Sequence, residues 1–361
     1  ALALAALEDE SLTHPALEVL LTVDEEAGMG GARGLAAGVL AGTRMLNLDS
    51  EAWGEFYLGC AGGCDVAVGR HCRTEAVPAG YEARRLRVAG LSGGHSGVDI
   101  HLGRGNANKL LIRLLRQLEK TTDLRLAALS GGTARNALPR EAWADVVVPR
   151  PDVVAIDREL AEQQALFRSE LAGVDEGVTL VSEPAHATAT IGLADQRDLL
   201  SALQAAPHGV RRMSPVFDNV VETSNNLGVF ALAEGVFSAN LMVRSLRESG
   251  TKLLADEITC LFTLAGCQVS VRGEYPGWMP NPHSPLLAQC REIFTREFQA
   301  EAKVQVIHAG LECGVIGAKY PDIDTVSFGP TIHGAHAPGE RVWIASVDHA
   351  WRFLRTILAA M

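Results

Sequence analysis

The sequence predicts an α/β protein in which one α/β domain is interrupted by an inserted α+β domain. Three observations carry this. Near both ends, continuous apolar β-prone runs alternate with helical patterns, the texture of a mostly parallel sheet with helices on both faces. Between about residues 65 and 270 the texture turns to α+β, with strands expected to pair antiparallel. After Tyr275-Pro276-Gly277-Trp278 the first texture returns. The expected boundaries are 1–64 and 273–361 for the two parts of the outer domain and 65–272 for the insertion.

The elements follow in order. Ala1, Leu2, Leu4, Ala5 and Leu7 cover most of a helical surface over 1–10, and "LEVLLTV" predicts a strand over 17–23. A glycine-punctuated helix is expected from about Ala32 to Ala41. "MLNLDS" (45–50) and "EFYLGCAGG" read as the next strands. In the insertion, "ARRLRVAGL" and "LRLAALSGG" flank a helix whose Leu110, Leu111, Leu114, Leu115 and Leu118 recur at helical spacing. "WADVVVP", "NVVETSNNLGVFAL" and "VFSANLMVRSL" predict strands, and helices are expected near 157–173, 194–205 and 250–266. A helix at 284–298, strands in "AKVQVIHAG" and "TVSFGP", a His-rich loop and a closing helix at 344–359 complete the chain.

Composition bounds the function. The chain has 361 residues, 47% hydrophobic and 21% charged, ordinary for a soluble globular protein of two domains. A net charge of −11 without a basic cluster argues against a nucleic-acid partner. No apolar run is long enough to span a membrane as a helix. Seven cysteines without a framework spacing favour a reducing compartment, the cytoplasm. The opening "ALALAALEDE" lacks a Met and a signal-peptide layout and reads as a helix already under way, so sequence is expected to be missing upstream.

The chemistry concentrates in a few stretches. "LLTVDEEAGM" (20–29) ends an apolar run in Asp24, Glu25 and Glu26. Carboxylates at the tip of a buried strand cost several kcal/mol each to desolvate unless something positive meets them. Asp49 ends the next strand. "GPTIHGAHAPGE" (329–340) places His333 and His336 in a loop just after a strand, where sites are often carried. Singly, each reads as a solvated loop residue. Together at sheet carboxyl ends they have the chemistry of a metal site: carboxylate oxygen and imidazole nitrogen suit Zn²⁺ or Mn²⁺, and a further carboxylate can serve as base for a metal-activated water.

In the insertion, His95 lies between glycine pairs in "GLSGGHSG", Asn136 precedes a Pro-terminated turn in "GGTARNALP", and Arg244 ends a strand in "VRSLRESG". A bidentate arginine suits a substrate carboxylate, and a neutral histidine or an asparagine suits a developing oxyanion. A surface salt bridge, a turn residue and a loop partner are the plain alternatives. Cys60, Cys64, His71 and Cys72 form a C-x3-C-x6-H-C set that fits no common structural zinc site, and buried free thiols explain it as well.

"LEVLLTVDEEAGM", "LNLDSE", "CAGG", "GGHSG", "GNANKLL", "GGTARNALP", "YPGW", "HAGLECG" and "GPTIHGAHAPGE", in this order along nearly the whole chain, resemble the aminoacyl-histidine dipeptidases, or cytosol non-specific dipeptidases, of the M20 metallopeptidase family. The resemblance implies a zinc-exopeptidase-like three-layer catalytic domain, present in part, and an inserted lid. It implies cleavage of dipeptides such as Xaa-His and carnosine-like substrates with two divalent ions, zinc first and manganese or cobalt as alternatives. By the same resemblance Glu25 is the general base that deprotonates the bridging water. Glu26, Asp49 and His336 ligate metal. His95 stabilises the oxyanion, Asn136 and Arg244 bind substrate, with Arg244 on the C-terminal carboxylate, and Glu312 in "HAGLECG" meets the substrate amine. A homodimer is implied, with no nucleic-acid or membrane partner.

The sequence departs from the family in one respect. An upstream H-x-D motif and the acid that bridges both metals, with one histidine ligand, are not in it. The expectation for the chain as given is therefore weak binding of at most one metal and no dipeptide turnover. Two other readings stand beside the dipeptidase: a catalytically incompetent fragment whose lid serves as a dimerisation or peptide-binding module, and an aminoacylase-like or carboxypeptidase-like hydrolase of the same family.

Overall fold

A computed structural model describes residues 1–25, 28–335 and 339–361. By its internal contacts the chain divides into two compact units, 1–62 with 275–361, and 63–274.

The first unit is built on a four-stranded sheet. Arg44–Asn47 runs parallel to Asp324–Ser327, and Glu55–Cys60 parallel to Lys303–Ile307; the two pairs join antiparallel through Ser327 and Tyr57. The sheet is mixed, so its strands do not all end on one edge: Asn47 and Ser327 finish together, Cys60 and Ile307 at the other end. Side chains alternate across the strands. Leu46, Phe56 and Leu58 enter a core shared with the helices Pro285–Phe298 and Ile344–Ala360, where Phe56 stacks on Phe353 with centroids 5.3 Å apart. Met45 faces the opposite way, into a small cluster with Ala32, Val315 and Ile316 of the helices Gly30–Gly34 and Glu312–Lys319. Helices thus cover both faces of an α/β sheet.

Two expectations for this unit fail. Residues 17–23 form no strand. An apolar β-prone run needs a ladder partner to become one. None pairs with it among the described residues, and Leu21 and Val23 stay 66% and 72% exposed. The helix expected over 32–41 stops at Gly34, and Gly38 adopts a φ of +80° that an α-helix cannot accommodate. The segment beyond is held instead by Tyr320, whose hydroxyl donates to Ala36 O and accepts from Val39 and Leu40 N.

The second unit is built on a nine-stranded sheet in the order 268–275, 62–71, 236–245, 221–233, 125–131, 142–149, 81–89, 179–184, with 209–213 added beside 221–233; the strands from 236–245 through 179–184, and 209–213 against 221–233, pair antiparallel. The helix Ala107–Leu118 buries Leu111, Ile112, Leu114, Leu115 and Leu118, the stripe its leucine spacing predicts. Its N-cap Asn106 accepts from Lys109 N at 3.1 Å. Three further helices, Val153–Glu170, Leu193–Ala205 and Glu248–Leu264, pack into the same core. Gln268–Tyr275 escaped the sequence reading because most of its side chains are exposed, which leaves no apolar alternation to see.

Candidate functional site

In the first unit, the residues predicted for catalysis sit on turns and helix ends. Asp24 holds a left-handed φ of 62°, and Glu25 O accepts from Met29 N at 2.9 Å, so Asp24 and Glu25 lie in a tight turn rather than at a strand tip. Glu25 is half-buried. Asp49 follows the strand Arg44–Asn47, and its N–H donates to Asn47 Oδ1, which also accepts from Ser327 Oγ at 2.6 Å. Glu312 opens the helix Glu312–Lys319 and is buried. Its Oε2 accepts from Thr22 Oγ1 at 2.7 Å, while Oε1 is buried with no hydrogen-bond partner. Burial, then the neighbouring Cys60, then the charge of Asp49, with a smaller part from Glu312, hold the Cys313 thiol well above its usual range. The carboxylates Asp49 and Glu312 therefore both act on one neighbourhood.

That donor chemistry fits a cation. A buried carboxylate oxygen without a hydrogen-bond partner among the described residues, with a second carboxylate acting on the same Cys313, is costly until a positive charge arrives. Glu26 and His336, the other predicted ligands, lie outside the described residues. Among the described residues no three His, Cys, Asp or Glu gather to hold an ion. His333 is exposed on a short hairpin, Ile332–His333 with Arg341–Val342. The cysteine set does not gather as a site either: Cys60 and Cys64 are buried free thiols, pushed by burial up to about 11 and about 12.

In the second unit, His95, Asn136 and Arg244 come together from segments far apart in sequence. His95 pairs by an isolated bridge with Ala137, and Asn136 O accepts from Ser96 N at 2.8 Å, which lays the loop 134–138 along 93–97. The glycine pair before His95 is required there: Gly93 and Gly94 have φ of +70° and +138°, and a Cβ on Gly94 would collide with Asp99 and Arg104. Asp99 accepts from His95 N at 2.8 Å.

The His95 ring is fixed as well. Its Nδ1 accepts from Gly97 N and Val98 N at 3.2 and 3.0 Å, which puts the ring proton of the neutral form on Nε2. Nε2 lies 3.5 Å from a terminal nitrogen of Arg244. Burial first, then the Arg244 charge, lower the imidazole pKa to about 4. At neutral pH an uncharged N–H donor thus sits beside a buried guanidinium, an arrangement that binds an oxyanion and a carboxylate side by side.

Several residues of this site went unread in the sequence. Asn226 Nδ2 donates to Arg135 O and Ala137 O at 3.0 and 2.8 Å, gripping the chain on both sides of Asn136. Ser96, Arg135 and Arg244 all direct donors at the Met242 sulfur. The visible signal was the pair Asn225-Asn226 in the middle of a long β-prone run, since a buried amide is present to satisfy something.

Peptidase family M20/M25/M40 matches residues 1–360. The chain is 44% identical over 357 residues to the cytosol non-specific dipeptidase of Escherichia coli (strain K12), covering 99% of this chain and 74% of that one. The crystal structure of the aminoacylhistidine dipeptidase from Vibrio alginolyticus superposes with a TM-score of 0.93 at 42% identity, over 100% of this chain and 74% of that one. With a match of this extent, the chain belongs to the peptidase family M20/M25/M40.

Proposed function

We propose that this protein is a metal-dependent dipeptidase acting on dipeptides of the Xaa-His and carnosine-like kind. Dipeptidases of this family are metal-dependent, and both relatives above carry dipeptidase names. The observation that carries the reading is the tautomer of His95: two backbone N–H groups fix its Nδ1 as acceptor and leave an Nε2–H donor beside Arg244.

The roles follow from the chemistry of each group. Arg244 takes the C-terminal carboxylate, and Asn136 orients the peptide group. His95 Nε2–H donates to the carbonyl oxygen as negative charge grows on it, and being neutral it does so without first losing a proton. Glu25 accepts a proton from the attacking water and returns it to the leaving amine. Glu312 meets the substrate amine with its buried oxygen. Glu26, Asp49 and His336 hold divalent metal, two ions with zinc as the first choice. The metal supplies Lewis acidity and lowers the pKa of water. A cytoplasmic homodimer completes the proposal.

The test is metal content and turnover of the chain purified with excess Zn²⁺ or Mn²⁺, against Xaa-His and carnosine-like dipeptides and N-acyl amino acids. Bound metal with dipeptide turnover is expected of a version that also carries the family's upstream H-x-D motif and bridging acid; the chain as given is expected to hold at most one metal weakly and to turn over no dipeptide. Turnover of the N-acyl amino acids alone would make the chain an aminoacylase. Neither metal nor turnover would make it a catalytically incompetent piece of such an enzyme.

A further inference from the structure

We infer that Asp99 is a positioning residue that locks the His95 ring in its Nε2–H tautomer by clasping the loop 95–99 around Nδ1; its consequence for turnover rests on the dipeptidase reading. The clasp is reciprocal. Asp99 Oδ2 accepts from His95 N at 2.8 Å, and Asp99 N donates to His95 O at 3.0 Å. The segment is thereby closed at both ends. The two amides inside the closure, Gly97 N and Val98 N, donate to His95 Nδ1 at 3.2 and 3.0 Å. A proton on Nδ1 would meet two N–H groups aimed at it, so the neutral ring carries its hydrogen on Nε2.

Asp99 is diverted from another task to do this. It is the N-cap of the short 3₁₀ helix Ile100–Leu102, where an aspartate normally accepts from the first helical N–H groups, yet its side chain makes no such bond and turns back to His95 N. Arg104 braces the carboxylate: its Nη1 lies 3.4 Å from Asp99 Oδ2 and donates to Gly93 O at 2.7 Å. Gly94 leaves room for the brace, since a Cβ there would collide with Arg104 Nη1 and stand 2.6 Å from Asp99 Oδ2. The charge of Asp99 cannot be its contribution to a neutral donor, because it favours protonation of the ring. What the carboxylate supplies is geometry. The side chains of Asp99 and Arg104 are 26% and 28% exposed, so either can be replaced without opening the core.

The test is nitrogen NMR of the full chain, metal-free and isotope-labelled at histidine, at neutral pH, with His95 assigned by the signals lost in His95→Gln. In the parent chain the two ring nitrogens should lie far apart in shift, with Nδ1 the bare one. Asp99→Ala should bring them together as both tautomers become populated, and amide exchange at Gly97 and Val98 should quicken. Asp99→Asn keeps an oxygen for His95 N and should hold the parent pattern. Arg104→Gln leaves Asp99 in place without its brace and should move the shifts in the same direction as Asp99→Ala, by less. In a version that also carries the upstream H-x-D motif and bridging acid, Asp99→Ala should lower kcat by about tenfold or more with little change in KM, and Asp99→Asn should restore most of it. A parent-like tautomer in Asp99→Ala, or the same change in Asp99→Asn and Asp99→Ala, overturns the inference. A lost lock with unchanged kcat would keep the clasp and end the oxyanion role of His95.

Discussion

Nε2 of His95 and a terminal guanidinium nitrogen of Arg244 lie 3.5 Å apart, two donors with no room for one to serve the other. His95 cannot accept there while its Nδ1 is occupied by Gly97 and Val98. His95 thus faces Arg244 as a donor, as an oxyanion site requires. His95→Gln should therefore lower kcat by about a hundredfold or more, the usual cost of removing an oxyanion donor, with little change in KM. Arg244→Gln should act on binding and raise KM. Steady-state kinetics on the metal-loaded protein separate the two; a mainly KM effect for His95→Gln would mean that it binds ground-state substrate instead.

Glu312 carries a prediction of opposite signs. Its Oε1 is buried without a partner while Oε2 is held by Thr22. Without metal, Glu312→Gln removes a buried charge and should raise Tm by about 2–5 °C, since relief of such a charge is worth on the order of 1 kcal/mol or more. With Zn²⁺ or Mn²⁺ added, the same variant should gain less Tm than the parent chain. Thermal scans with and without EDTA decide this. A variant less stable in EDTA, yet equally stabilised by metal, would remove Glu312 from any cation site.

Glu25→Gln tests the assignment of the base. In a version that also carries the upstream H-x-D motif and bridging acid, it should keep the metal content of its parent and lose turnover by about two to four orders of magnitude, as general-base removal does. Glu26→Gln should lose metal as well. Near-normal turnover of Glu25→Gln would overturn the role.

Legibility tracked how much of each element's determinant is local. Ala107–Leu118 writes its buried face in its own leucine spacing, and Val221–Ala233 and Val236–Ser245 show as long β-prone runs, so all were readable. Residues 17–23 have the composition of a strand, but a ladder is a property of two segments and the sequence shows only one. The antiparallel join at Ser327 and Tyr57 is likewise invisible locally, whereas the mostly parallel pairing that the apolar runs predict is present in the two parallel strand pairs. For the site, residue types in loops and at a strand end pointed to His95, Asn136 and Arg244. The supports beneath them, Asn226 and Met242, look in sequence like ordinary strand residues, because their role exists only across strands.

Two partly buried histidines set a pH dependence of stability. Burial is the first cause for both His95 and His208, with the positive charges of Arg244 and Lys109 second, and each imidazole is lowered from 6.5 to about 4. Asp99 opposes the shift at His95, and Asn106 bonds His208 Nδ1 at 3.2 Å. The unfolded chain binds more protons than the folded one between these values, so stability is present above about pH 6.5 and lost as pH falls toward about 4. Denaturant midpoints measured across pH 4–7 should fall through this window, and His208→Gln should flatten the slope by about one proton. A pH-independent midpoint would show that these rings are not held neutral in the fold.

Asn226 gives the sharpest test of how the second unit is built. Its Nδ2 spends both hydrogens on Arg135 O and Ala137 O, while its own Oδ1 is buried without a partner. The side chain is thus retained for its donors. Gly228 lets the loop come this close, since a Cβ there would meet Arg135 O at 2.7 Å. Asn226→Ala would leave two carbonyls without donors, a cost of roughly 1–3 kcal/mol each if they stay buried, so the loop 134–138 should move toward water instead. Asn136 and Arg135 then lose their fixed positions together. Asn226→Asp should be worse than alanine, because a carboxylate cannot donate and would repel both carbonyls. The expected result is faster hydrogen exchange at Ala137 and Leu138, with the exchange of Ala107–Leu118 unchanged, and a fall in kcat/KM of about tenfold or more. Slow exchange at Ala137 and normal kinetics in Asn226→Ala would show that the bridge with His95 and the bond from Ser96 hold the loop without it.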